Sequence, residues 1–333
     1  MAIKNSGSSL SFSEIEAEFG QNGGRTLGSY RLTQSVGSLS NLPLDSGIPT
    51  SGQIKFSDFY SKKLNVVVDC HSGSREDRKS AKNDKWNNNN VTVIGGFRSK
   101  KEGGSKIIIN VNKKFCSDKS TTTNCALRTG SWDATSTVQV DLGSSANVLG
   151  GGGDGGRGAD GINNNGQPGG DGTSALGIEV NNCVVNIASG GILRAGFGGG
   201  GGGGGGRQTD KRRDRRAGGG GGGGGAGCPP GAGGQGGDTG GGFGSGAGNP
   251  GSAGTESTGG GGGGGGNNAG QAGGASGGSG GQASGNAGNG GSNNTSGGSG
   301  GSNGAAIRRT SGFNVTINNS GTVAGSTSAT GVS

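Results

Sequence analysis

The chain has 333 residues, 90 of them glycine, with 26% hydrophobic and 4% aromatic residues and a formal net charge of +8. So much glycine and so little apolar side chain exclude a single oil-drop core for the whole chain, while the length leaves room for two or three modules. No segment approaches the roughly 20 apolar residues of a membrane-spanning helix, and the sequence pI of ≈ 9.4 favours anionic partners.

Residues 1–60 read as a small independent module. The start, MAIKNSGSSLSFSEIEAEFG, lacks the apolar stretch of a cleaved leader, so synthesis in a cytosol without such export is expected. Ser13 to Glu16 has capping-box spacing, Phe12, Ile15 and Phe19 offer one face of a short helix, and Gly20 ends it. The phrase LSFSEI at 10–15 returns as IKFSDF at 54–59 across a polar linker with Pro43 and Pro49. Two similar short elements suggest a self-paired unit used for attachment.

Residues 61–149 read as a β-rich connector. LNVVVDC (64–70), NVTVIGGF (90–97), SKIIINVNKKF (105–115) and STVQVDL (136–142) are β-branched and bounded by Gly, Asn or Ser clusters. They suggest a small sheet or the opening rungs of a β-solenoid. A weak repeat follows, in which Val138–Gly150, Val185–Gly196 and Val315–Gly325 each read as a strand, a tight turn and a second short strand. Such hairpins would hold the ends of the glycine tracts.

Residues 150–310 carry three uninterrupted glycine runs, Gly198–Gly206, Gly218–Gly225 and Gly259–Gly266, separated by unlike inserts. Without β-carbons these runs resist ordinary helix and strand. One packed alternative is a bundle of polyproline-II-type helices of three residues per turn, whose outward N–H and C=O groups pair with neighbouring helices. A three-residue period supports it. GGD-GGR-GAD-GIN begins at Gly152, GNP-GSA-GTE occupies 248–256, and GGS-GGQ occupies 277–282, with polar residues at the third place. Disorder is the competing reading; collagen is disfavoured by six prolines and broken register. A final β phrase at 311–333 would tie down the end.

The insert RQTDKRRDRRA at 207–217 is the sharpest chemical signal. Arg207, Lys211, Arg212, Arg213, Arg215 and Arg216 outnumber Asp210 and Asp214, and guanidinium groups favour bidentate contact with phosphate or carboxylate. Asn267, Asn268, Asn293 and Asn294 in two other inserts would add hydrogen bonding. The plain alternative is a solvated charge run. Nucleic-acid binding is weaker, because the glycine runs contain no aromatic and Arg-Gly occurs once, at Arg157-Gly158.

Catalysis is not expected. His71 is the only histidine, and Cys70, Cys116, Cys125, Cys183 and Cys228 show no CxxC spacing, so neither a zinc site nor a Cys-His pair is built in. No cofactor is expected. An odd cysteine count argues against a complete disulfide framework; Cys116 with Cys125 is the pair a loop would close, with reduced thiols the commoner outcome.

The N-terminal phrases MAIKNSGSSLSFSEIEAEFG and SGIPTSGQIKFSDFY resemble a leader module of phage virion proteins. NNSGTVAG at 318–325, IASGGILRAGFGGGGGGGGG at 187–206 and the 152–177 stretch resemble phrases beside polyglycine in glycine-rich tail-fibre adhesins of tailed bacteriophages. The likeness spans most of 1–60 and about 140–325. It implies a polyglycine-II sandwich whose loops contact outer-membrane proteins or lipopolysaccharide, in the virion tail. Partners would be a host receptor (an anionic glycan or an outer-membrane protein) and, through residues 1–60, other tail proteins; oligomeric state is left open. Two further readings stand beside it: a purely structural tail component, and an ice-binding protein, since polyglycine-II bundles also occur in a springtail antifreeze protein.

Overall fold

The computed structural model describes residues 3–20, 26–36, 39–70, 76–77, 79–80, 91–93, 103–117, 121–210, 213–240, 246–267, 274, 276–281 and 295–332. The fold is mostly strand and irregular, with one short α-helix among these residues.

That helix, α1 (Phe12–Phe19), starts two residues earlier than the sequence spacing suggests. Ser11 is the N-cap, its backbone N–H donates to Glu14 Oε2 at 2.8 Å, and Gly20 closes the other end at φ 73°. The second phrase repeats the device in a 3-10 turn, Phe56–Phe59, where Lys55 N–H donates to Asp58 Oδ2 at 2.7 Å. The two phrases meet through their rings. Phe12 lies edge-on to Phe56 at 6.3 Å and to Tyr30 at 6.0 Å, and Phe59 lies edge-on to Phe19 and Tyr30. A small antiparallel ribbon of β1 (Thr33–Val36) and β2 (Leu39–Pro43) follows. Buried Glu18 accepts from Leu64 N–H at 2.9 Å and fastens the module to the next element.

The remaining strands wind into a three-faced parallel solenoid. Its rungs are β3 (Asn65–Cys70), β4 (Glu76–Asp77), β5 (Lys79–Ser80); β7 (Lys106–Val111), β8 (Lys114–Cys116), β9 (Cys125–Arg128); β10 (Thr137–Leu142), β11 (Asn147–Leu149), β12 (Ser174–Ile178); β13 (Cys183–Ile187), β14 (Ile192–Arg194), β17 (Ile307–Arg309); and β18 (Val315–Asn319), β19 (Thr322–Ala324), β20 (Ala329–Thr330). Each member of a rung belongs to a different sheet, and pairing between rungs is parallel. Antiparallel β6 (Val91–Val93) covers the outer edge of β3.

Alternation sets what faces inward. Val66, Ile107, Val138 and Cys183 stack in register, as do Val68, Ile109, Val140 and Val185, and all are buried. On the outer face, Asp69, Asn110, Asp141, Asn186 and Asn318 share another register row. Asn110 Nδ2 donates to Asp69 at 2.9 Å, Asn186 Nδ2 to Asp141 at 2.7 Å, and Asn318 Nδ2 to Asn186 at 2.8 Å.

The sequence repeat is therefore a corner, not a hairpin. Val138–Gly150, Val185–Gly196 and Val315–Gly325 place their two strands in adjacent sheets, each paired to the rung before or after and not to each other. A turn of the solenoid, in which the chain bends to a new face, leaves the same strand–turn–strand trace in sequence.

The glycine tracts leave the solenoid at one corner. Residues 150–173 join β11 to β12 in the third rung, and the much longer 195–306 joins β14 to β17 in the fourth. They run as extended rods: 150–160 (rod 1), 165–173 (rod 2), 195–206 (rod 3), 217–226 (rod 4), 229–238 (rod 5), 246–254 (rod 6), 259–267 (rod 7), 274 with 276–281 (rod 8) and 295–304 (rod 9). Backbone bonds join them with a period of three residues. Rod 4 donates from Gly219, Gly222 and Gly225 to rod 1, from Gly218, Gly221 and Gly224 to rod 6, and from Gly223 and Ala226 to rod 8. It accepts from rod 3 at Gly220, Gly223 and Ala226, from rod 5 at Gly219, Gly222 and Gly225, and from rod 7 at Gly218, Gly221 and Gly224.

Six rods thus surround rod 4, and three layers result: rods 2, 1 and 5; rods 9, 3, 4 and 6; rods 8 and 7. Carbonyl crowding explains the composition. A β-carbon on Gly221, Gly222 or Gly223 would lie 2.0 Å from the oxygen of Gly234, Gly200 or Gly260, one in each of three directions. Rods 3 and 4 therefore need glycine at consecutive places, as at Gly198–Gly202 and Gly218–Gly225, whereas edge rod 6 needs it along its length only at every third place, Gly248, Gly251 and Gly254, besides Gly246 at its start.

The first layer blunts its neighbours with side chains spaced two turns apart. Asp154 and Asp160 accept from Ala232 and Asp238 N–H of rod 5, while Asn165 and Asp171 accept from Ser296 and Ser302 N–H of rod 9. At its root the slab is tied down twice. A Cys116–Cys228 disulfide, rather than the Cys116–Cys125 pair, joins β8 to the turn after rod 4, and Lys114 pairs with Glu256 in the turn after rod 6. Cys70, Cys125 and Cys183 are buried thiols, and burial pushes the Cys183 thiol up to about 12.

Candidate functional site

The basic insert caps the two central rods. Rod 3 runs from β14 to β15 (Gly206–Asp210), and β16 (Arg213–Ala217) leads into rod 4, which ends near the Cys116–Cys228 bridge. The solenoid is at one end of these rods and the β15–β16 ribbon at the other. Its antiparallel register opposes Arg207 to Arg216, Gln208 to Arg215, Thr209 to Asp214 and Asp210 to Arg213.

Alternation puts Arg207, Asp214 and Arg216 on one face. Asp214 accepts from Arg207 Nε at 2.9 Å and from Arg216 Nη2 at 2.9 Å. Hydrogen bonds from Arg207, then from Arg216, hold the Asp214 carboxyl below the usual carboxylate range. Arg216 Nη1 also donates to Gly240 O at 2.9 Å, so the ribbon is braced against the turn that follows rod 5. Arg213 and Arg215 lie on the opposite face, Arg213 exposed and Arg215 half-buried. Lys211 and Arg212 lie outside the described residues.

Asn267 is exposed where rod 7 ends, at this same end of the slab. Asn268, Asn293 and Asn294 lie outside the described residues. Next to the last pair, Thr295 Oγ1 takes a hydrogen bond from Gly205 N–H at 2.6 Å and anchors that insert at the root of the ribbon. The fold therefore gathers Arg207, Arg213, Arg215, Arg216 and Asn267 at one end, although 60 residues separate the first from the last in sequence.

A charged cluster absent from the sequence reading joins them. Arg157 Nη2 pairs with Asp160 at 2.8 Å and with Asp238 at 3.3 Å, bridging rods 1 and 5 near the same end. The signal available was the three-residue recurrence of Asp154, Arg157 and Asp160, which the rod geometry sets in one row along rod 1. Two open grooves lie on the solenoid instead. One, of about 510 Å³, passes Leu39, Asp141, Asn186 and Asn318; the other, of about 480 Å³, passes Trp132, Glu179 and Phe313. No group of three metal-ligating side chains occurs among the described residues, and no described helix is long and apolar enough to cross a membrane. His71 lies outside the described residues.

No known family profile matches the chain, and no curated protein matches it. Among solved structures it is similar to the crystal structure of the gp37-gp38 adhesin tip complex of the bacteriophage S16 long tail fiber. That likeness has 21% identity and a TM-score of 0.38, over 83% of this chain and 88% of that one.

Proposed function

We propose that this protein is a non-catalytic receptor-binding adhesin of a bacteriophage tail, whose rods are polyglycine-II helices. The bonding period of three residues and the six-rod environment of rod 4 support that helix type. At a rise of about 3.1 Å per residue, a nine-residue run such as Gly198–Gly206 spans roughly 28 Å. The observation that carries the reading is the position of the Gly206–Ala217 ribbon. It stands on the two most heavily bonded rods, rod 4 with six neighbours and rod 3 with five, at the end remote from the solenoid and from residues 1–60. Recognition residues concentrate on loops held by rigid supports. Arg207 and Arg216, held by Asp214, shape the ribbon; Arg213, Arg215, Lys211 and Arg212 meet phosphate or carboxylate groups of a host surface glycan or outer-membrane protein; Asn267, Asn268, Asn293 and Asn294 add hydrogen bonds. Residues 1–60 join other tail proteins, and the protein resides in the virion tail after synthesis in the host cytoplasm.

The test deletes 208–216, and separately reverses Arg213 and Arg215 to Glu, in the phage and in the purified chain. Lost adsorption to host cells with unchanged melting and normal particle assembly supports the adhesin. Intact adsorption with failed assembly refutes it and leaves a structural tail component.

A further inference from the structure

We propose that the uncharged end of this molecule is an interface between two copies of the chain, joined tail to tail. The layers of the slab follow the rungs of the solenoid. Rods 1 and 2 come from the third rung and rods 3 and 9 from the fourth, while rods 7 and 8 bond to rods 3 and 4 on the side away from rod 1. The third layer accordingly lies on the side of the last rung, β18–β19–β20, and the two make one continuous end surface.

The segments that build that surface carry no charged side chain, and the one guanidinium that reaches it from the rung below, Arg308, is spent on Thr330 O. Neither Ser257–Ile307 nor Thr310–Ser333 contains a single Asp, Glu, Lys or Arg; all 29 basic and 21 acidic residues lie elsewhere. The opposite face of the slab presents Asp154, Arg157, Asp160 and Asp171. Such a division of charge on one small protein marks a surface that is meant to lose water.

The last rung is also unfinished. β18, β19 and β20 each end their sheets, with neighbours on one side only. Their inward residues Val315, Ile317 and Val323 are half-buried, whereas Cys183, Val185 and Leu193 one rung below are fully buried. Open strand edges are normally blunted by Lys, Pro or a bulge; VTINN and TVA have none of these. The asparagine row stops there too. Asn318 spends its amide N–H on Asn186, and its own oxygen has no rung above it.

The occupant that fits is a second copy. Head-to-tail stacking is blocked in the first sheet, the one that ends in β18, because β6 already covers β3 at its other edge. A twofold contact needs a self-complementary patch, and this one offers it. Antiparallel β18 strands can exchange N–H···O bonds, Asn318 is donor and acceptor at once, and neutrality removes the repulsion that a chain of net charge +8 would otherwise meet.

Sedimentation of the purified full chain tests this, across concentration and at low and high salt. The expected result is a concentration-dependent dimer of twice 31.7 kDa whose dissociation constant is insensitive to salt. Thr322→Lys and Thr316→Glu, both at exposed positions, should each weaken it at least tenfold while leaving the melting temperature of the dilute monomer unchanged. A wild-type chain that stays monomeric overturns the proposal. So does a dimer that ignores both substitutions, or one that salt dissolves, because salt sensitivity would place the contact at the basic ribbon.

Discussion

Replacing Gly222 by Ala tests whether lateral amide bonding, rather than an apolar core, holds the slab. The new β-carbon would sit 2.0 Å from Gly200 O and 2.6 Å from its carbonyl carbon. Ordinary carbon contacts lie near 3.5–4 Å, so rods 3 and 4 must part by roughly 1.5 Å. Three bonds cross that seam: Phe197 to Ala226, Gly200 to Gly223 and Gly203 to Gly220, at 2.8–2.9 Å. At ~0.5–1.5 kcal/mol each they represent about 1.5–4.5 kcal/mol, and overpacking adds about 1–3 kcal/mol. The stiffer unfolded chain returns only ~0.4–1 kcal/mol. A net loss of about 1.5–7 kcal/mol remains, or a fall in melting temperature on the order of 10 °C. Gly261→Ala is the control, because nothing lies within 4 Å of that β-carbon; it should be neutral or slightly stabilising. Both are read by denaturant unfolding and by amide exchange in the glycine tracts, at a dilution where the chain is monomeric. Equal effects at the two positions would refute the packing argument.

Cys228→Ser, or reduction of the wild-type chain, should cost ~2–5 kcal/mol, because the Cys116–Cys228 bridge closes a loop of 112 residues; an unchanged denaturant midpoint under dithiothreitol would contradict the bridge. Asp214 should keep the ribbon in one conformation from neutral pH down to mild acid. Its carboxyl is depressed in the folded state, so the contribution is full above the unfolded value and lost as pH falls through the lower folded one. Limited proteolysis should then show the 207–216 ribbon becoming susceptible only in strong acid, while Asp214→Asn is susceptible already at neutral pH. Purified protein should show no thermal hysteresis; a measurable freezing gap would move the function to the uncharged end and away from the arginines.

Much of the chemistry was written in the residues. Glycine at every place of 198–206 and 218–225, against glycine at every third place of 248–254, is a local pattern, and it reports how many sides of each rod are crowded. The β-branched runs announced strands, and the paired FSE and FSD phrases announced a two-part module. Three things needed the tertiary structure. Capping is set by which backbone N–H groups are orphaned, so Ser11 and not Ser13 caps α1. Strand–turn–strand phrases have the same trace whether the chain doubles back or turns a corner; only partners from other rungs, such as Val140 with Ile109 and Val185, make them a solenoid. The partner of Cys116 is likewise 112 residues away, brought close by the root of the slab. A sequence fixes what each residue can tolerate beside it, since β-carbons, donors and charges are local properties. Which neighbour actually arrives is decided by long-range bonding, and that is why Arg207, Arg213, Arg215, Arg216 and Asn267 came together only in the folded molecule.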